Sequence, residues 1–192
     1  MKSKLFINLF LVLLFLLSKN LYGKEININA SSVEVDKITK VVYAKGNVEI
    51  FDQIKNRIFS DSAEYDKIKG IVKTFGPTKI ITSANYEING KDMFYDDKKK
   101  MIYSKNYTEI TDINGNKISV NMFNYLTLKN MFFSKGEIEI LDNRDNKYLF
   151  SEVYVDEKNK KIVGSDIKSY FNDETLKEDK RNDPRFYANS AT

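Results

Sequence analysis

The chain has 192 residues, of which 42% are hydrophobic and 30% charged, enough apolar material for one ordinary domain with a core. It carries 31 basic and 27 acidic residues, for a formal net charge of +4. With no Cys and no His, the sequence excludes disulfides, thiol nucleophiles, thiolate or imidazole metal sites and Ser-His-Asp triads.

Lys2 and Lys4 precede an apolar run from Leu5 to Leu17 that only Asn8 interrupts, and Gly23 offers a small residue for cleavage. A basic start, a short apolar stretch and a small residue predict a secretory signal-peptide helix over residues 1–23, the alternative being an uncleaved anchor. The run is shorter than the roughly 20 residues of a comfortable membrane span. Residues 1–23 contain three lysines and no acid, so the remainder has 28 basic against 27 acidic residues and is nearly neutral.

From there on the sequence repeats every 30 residues without a gap. Val33-Glu-Val-Asp36 aligns with Ala63-Glu-Tyr-Asp66, Met93-Phe-Tyr-Asp96, Phe123-Asn-Tyr-Leu126 and Val153-Tyr-Val-Asp156. Val42, Val72, Ile102, Phe132 and Ile162 form one column, and Ile50, Ile80, Ile110, Ile140 and Tyr170 another. Gly46, Gly76, Asn106, Gly136 and Asp166 lie between them. Within a unit the apolar period is two, with Val42, Ala44, Gly46, Val48 and Ile50 on one face and Tyr43, Lys45, Asn47 and Glu49 on the other. Polar turns are expected at 36–40, 66–70, 96–100 and 156–161, and at Asn89-Gly90 and Asn114-Gly115. Each unit reads as a strand, a tight turn and a longer strand whose central Gly bends it from one sheet to another. The expected class is all-β and antiparallel, with ten to fifteen strands in about five 30-residue repeats and free edges at both ends.

The inward columns are bulky at their ends and small in the middle, at Ala44/Gly46, Thr74/Gly76, Ser104/Asn106 and Ser134/Gly136. Two readings stay open: an under-filled apolar groove along the stack, or a closed core in which small residues permit a sheet corner. The repeated Asp36, Asp66, Asp96 and Asp156 read as turn openers flanked by Lys rather than calcium ligands or catalytic carboxylates. Lys98-Lys-Lys100 reads as a solvated turn tip, with phosphate contact as the alternative. No nucleotide-binding motif is present, and neither a catalytic role, a cofactor, a metal nor a nucleic-acid partner is expected.

Residues Ile26 to Asp36 followed by Val41-Val-Tyr-Ala-Lys-Gly-Asn-Val-Glu-Ile50 resemble the opening repeat of the OstA-like family, and the resemblance extends over about residues 26–172. That family includes the lipopolysaccharide-transport proteins LptA and LptC and the N-terminal domain of LptD. The tail, Gly164 to Asn172 and Asn182 to Ser190, resembles the N-terminal periplasmic domain of LptD more than LptA. The resemblance implies a twisted β-jellyroll, an open roll of two facing sheets, over residues 24–172, followed by a polar tail or linker over 173–192. It implies a non-enzymatic periplasmic component, associated with the outer membrane, whose interior carries lipid A acyl chains. The groove would then be lined by Val42, Val48, Ile50, Val72, Ile80, Ile102, Ile110, Phe132, Ile138 and Ile140. The strand bearing Ile26, Ile28, Val33 and Val35 is the expected edge for pairing with other jellyroll proteins of the transport bridge, and outer-membrane assembly partners are implied as well. Two departures stand out: the chain has no transmembrane barrel and none of the cysteines that many LptD proteins use.

Overall fold

The computed structural model describes residues 26–172 and 185–191, so the segment expected to be a signal peptide lies outside the described residues. Those residues form fifteen strands and no helix, and every strand pair is antiparallel. β1 (Asn27–Asn29) and β2 (Ser32–Val35) both pair with β3 (Val41–Phe51), which pairs with β4 (Arg57–Asp66), which pairs with β5 (Ile71–Ile81). Next come β6 (Glu87–Lys91) with β7 (Phe94–Asp96), then β8 (Met101–Ser104) with β9 (Thr108–Thr111), then β10 (Lys117–Val120) with β11 (Phe123–Leu126). β12 (Met131–Leu141), β13 (Lys147–Asp156), β14 (Lys161–Tyr170) and β15 (Arg185–Ala191) complete the order. Each short couple is one pass across the sheet interrupted at its middle. The whole is therefore an up-and-down meander in which each pass pairs with its neighbours in sequence.

The interruptions and bends fall on one line. β3 and β4 shift register between Lys45 and Val48, β4 and β5 between Ser60 and Ser62, and β12 and β13 between Lys135 and Ile138. Gly46, Gly136 and Asp166 sit on this line with positive φ, as the central column of the repeat predicts. Gly46 is required twice over: its φ is 75°, and a Cβ there would lie 2.9 Å from Ser31 Oγ. The bend folds the sheet into two half-sheets that face each other across one apolar core. Small inward residues occupy the corner, where their hydroxyls bond bent backbone: Thr74 Oγ1 donates to Met93 O (3.2 Å) and Ser134 Oγ to Met122 O (2.6 Å). The sheet-corner reading of these residues is what the structure displays.

Two rows of turns form the free rims of the half-sheets. On the first rim Asp36 Oδ1 accepts from the amides of Ile38 and Thr39, and Asp66 Oδ1 from those of Ile68 and Lys69. Asp96 and Asp156 do the same toward Lys99 and Asn159, so these aspartates open turns as expected. Lys40, Gly70, Lys100, Asn130 and Lys160 close the turns in the left-handed region. The carbonyls of the first four accept from Lys67, Asp97, Thr127 and Glu157, joining each turn to the next.

Four expectations need correction. Asn89-Gly90 is not a turn; both residues lie inside β6, and the turn falls at Thr82–Tyr86, where Asn85 has a φ of 62°. Gly90 is there because a Cβ would meet Met93 Cε at 2.5 Å and Tyr107 O at 3.1 Å. Lys100 is buried, pairs with Asp97 and lies over the Tyr95 ring, unlike the solvated tip expected. The segments ending at Asp66 and Asp156 are not short: β4 and β13 run through the bend for 10 residues each. Finally, part of the expected polar tail is strand, since β15 pairs with β14 from Tyr170↔Arg185 to Gly164↔Ala191. The free edge of β14 supplies the partner, and Tyr187 packs edge-on against Tyr170.

Candidate lipid-binding interior

The predicted groove residues fall together. Val42, Val48, Ile50, Val72, Ile80, Ile102, Ile110, Phe132 and Ile138 are buried and Ile140 is half-buried, and all but Val42 lie in or against one core. They come from both half-sheets. Val72, Ile102 and Phe132 stand on the first-rim side of the bend, and Ile50, Ile80, Ile110 and Ile138 on the other.

Their own neighbours fill most of the space between them. An apolar cavity of about 40 Å³ lies between the half-sheets, lined by residues including Ile88, Ile110, Ile118, Phe132 and Val155. Ligand sites for small molecules run to roughly 300 Å³ or more. An acyl chain therefore fits in this cavity only if the half-sheets separate.

The second rim was not anticipated, and its turns are hydrogen-bonded within themselves and to one another. Asp52 Oδ1 accepts from the amides of Ile54 and Asn56, and Asn56 Nδ2 donates to Asp52 Oδ2 at 2.9 Å. Asp112 with Asn116 and Asp142 with Asn146 repeat this pattern, and Thr82 takes the aspartate's place toward the Tyr86 amide. Each asparagine Oδ1 then accepts from the following turn, at Ser83, Asn143 and Asn172. The column was detectable as Asp-x-x-x-Asn at 52–56, 112–116 and 142–146.

The rims meet along a seam opposite the bend. Tyr95 on the first rim side donates its hydroxyl to Asp52 on the second, both being buried. Burial, and then the Asp52 carboxylate, push the Tyr95 phenol well above its ordinary range. Tyr125, 30 residues on, donates its hydroxyl to Asn130 Oδ1 at 3.1 Å and packs its ring 5.8 Å from that of Tyr86, and burial pushes its phenol up to about 12. Tyr86 in turn donates to Glu157 across the seam. No cluster of acidic side chains among the described residues could hold a metal ion.

At the ends of the stack the inner face is uncovered. Val33 and Val35 on β2 are each 48% exposed and Ile162 on β14 is 52% exposed, although their columns are buried elsewhere. β1 and β2 pair only with β3 among the described residues, and Ile28 is half-buried and Ile26 buried.

Comparison with known proteins supplies the remaining finding. Residues 7–121 match the family described as "Lipopolysaccharide-assembly, LptC-related". Among curated proteins none matches. Among solved structures, the chain is similar to LptH of Pseudomonas aeruginosa, described as the LptA-homologous periplasmic component of the lipopolysaccharide transport device. The identity is 15% and the TM-score 0.30, over 72% of this chain and 80% of that one. With the family match extending over more than half of its length, the chain belongs to the LptC-related family of lipopolysaccharide-assembly proteins.

Proposed function

We propose that this protein is a passive periplasmic carrier in lipopolysaccharide transport toward the outer membrane. In this reading the folded sheet is a jellyroll whose interior takes lipid A acyl chains. The observation that carries it is the convergence of the apolar columns from both half-sheets on one interior, in a chain of this family. Acyl chains would exchange water for Val48, Ile50, Ile80 and Ile110 by ordinary apolar burial, while the phosphorylated sugar headgroup stays in solvent at the seam. The driving force comes from outside, and the β1–β2 edge pairs with the next carrier by strand addition. Within the family, the tail's resemblance favours the N-terminal domain of LptD, which reading the encoding gene beyond Thr192 for barrel strands would test.

Photocrosslinking from Val48 and Ile110 is expected to capture lipopolysaccharide, and from the outward Glu49 it is not. Equal capture from all three would sink the reading. The filled interior favours a second reading, a structural β-roll with a closed core and no lipid. Mass spectrometry of lipid co-purifying with the protein separates the two. In this reading the Leu5–Leu17 run directs export, as a cleaved signal or, alternatively, as a retained anchor. N-terminal sequencing of the mature protein decides that point.

A further inference from the structure

The seam is not held equally along its length. At Tyr95 it is packed shut: the ring is 2% exposed, and its partner Asp52 is also bound by Asn56 and two turn amides. At Tyr86 the closure is one exposed hydrogen bond to Glu157 and a ring contact with Tyr125, and Glu157 forms none of the ion pairs found among the described residues. Behind that bond lies the apolar cavity, which Tyr86 and Glu157 themselves help to line. Its second-rim wall comes from interrupted passes, through Ile88, Ile110 and Ile118, while Phe132 and Val155 opposite stand on passes that run through the bend. β6/β7, β8/β9 and β10/β11 break at the bend, whereas β3, β4, β12 and β13 run through it. The seam is thus latched less firmly at Tyr86, beside the cavity, than at Tyr95.

We infer that the Tyr86–Glu157 contact is the gate through which a single acyl chain enters between the half-sheets, with the cavity behind it as the first site the chain occupies. This rests on the acyl-carrier reading above. The occupant is chosen by chemistry. The cavity walls are Ile88, Ile110, Ile118, Phe132 and Val155, with polar groups at the mouth, so a hydrocarbon chain enters and a sugar or phosphate stays outside. Opening needs only the loss of one hydrogen bond and parting of the Tyr86 and Tyr125 rings.

The test measures uptake of a fluorescent twelve-carbon fatty acid by the full chain under stopped flow. Tyr86→Phe keeps the ring and removes the hydrogen bond, and is expected to speed uptake about three- to tenfold, the range for an exposed bond to a carboxylate. Glu157→Gln should act in the same direction. The chain has no cysteine, so Tyr86→Cys with Glu157→Cys joined by a short bismaleimide gives a clean lock, expected to abolish uptake. Circular dichroism of each variant confirms that it is folded. If the wild type takes up the probe and the locked and Tyr86→Phe proteins do so at the same rate, the gate is refuted and the carrier reading stands. If the wild type takes up none, the carrier reading itself fails.

Discussion

Replacing Asn56 and Asn116 by alanine tests whether burial, rather than the number of bonds, sets the strength of the second rim. The two asparagines make equivalent contacts. Each Nδ2 donates to the aspartate four residues earlier, at 2.9 and 2.7 Å, and each Oδ1 accepts the amide 27 residues later at 2.9 Å. Their surroundings differ, since Asn56 is 1% and Asp52 6% exposed, while Asn116 and Asp112 are half-buried. At Asn116 water replaces both lost bonds, and the loss should be about 1 kcal/mol. At Asn56 the buried Asp52 carboxylate loses a charge-assisted bond that water cannot easily restore, so the loss should be about 2–3 kcal/mol. With a urea slope of about 2 kcal/mol per molar, the unfolding midpoint drops by roughly 1–1.5 M for Asn56→Ala and by roughly 0.5 M for Asn116→Ala. Equal drops, or a larger one at Asn116, would refute the argument.

Gly90→Ala should destabilise the fold by about 1–3 kcal/mol in the same assay, because its Cβ meets both Met93 and the Tyr107 carbonyl; a neutral result would mean that β6 gives way easily. Lys40→Gly should raise stability by about 0.5–1 kcal/mol, since Lys40 holds a φ of 61° where Gly70 holds the equivalent turn. The Tyr125 pKa is raised to about 12 from an unfolded value near 10, so the folded state keeps its proton longer and stability should fall as pH rises from about 10 toward 12; a Tyr125→Phe variant should show a shallower fall by fluorescence-monitored urea melts. In acid the sign reverses for the first-rim aspartates. Asp36 is held low by the Thr39 hydroxyl, Asp66 by the Lys69 amide and Asp156 by the Asn159 side chain, so their contribution is present above the ordinary carboxylate pKa and is lost as pH falls below it, which amide exchange of the turn residues would follow.

What could be read from the sequence was whatever recurs on the 30-residue period with its chemistry intact. The apolar columns and the bend at Gly46 meet that condition, the turn-opening aspartates meet it in every unit but the one with Leu126, and each is where the periodicity places it. The second rim recurs too, but Thr82 and Tyr86 replace its aspartate and asparagine in one unit, which obscures the column. Gly90 misled because Asn-Gly is a strong local turn signal, while the reason for that glycine is a contact with Met93 and Tyr107 across the bend. Whether the interior is open or filled depends on how closely the half-sheets approach. Side chains 43 and 71 residues apart set that distance at the seam, a relation that no local pattern carries.

The meander also has a kinetic consequence. Because each pass pairs with its neighbours in the chain, most loops that must close during folding are only a turn long, and relative contact order is low for an all-β protein. The entropic barrier that slows most sandwiches and barrels is correspondingly small. Structure can grow pass by pass from any pair already formed, each added strand docking on a completed edge. A chain of this kind can therefore fold progressively as it emerges from a pore, without waiting for its last residue.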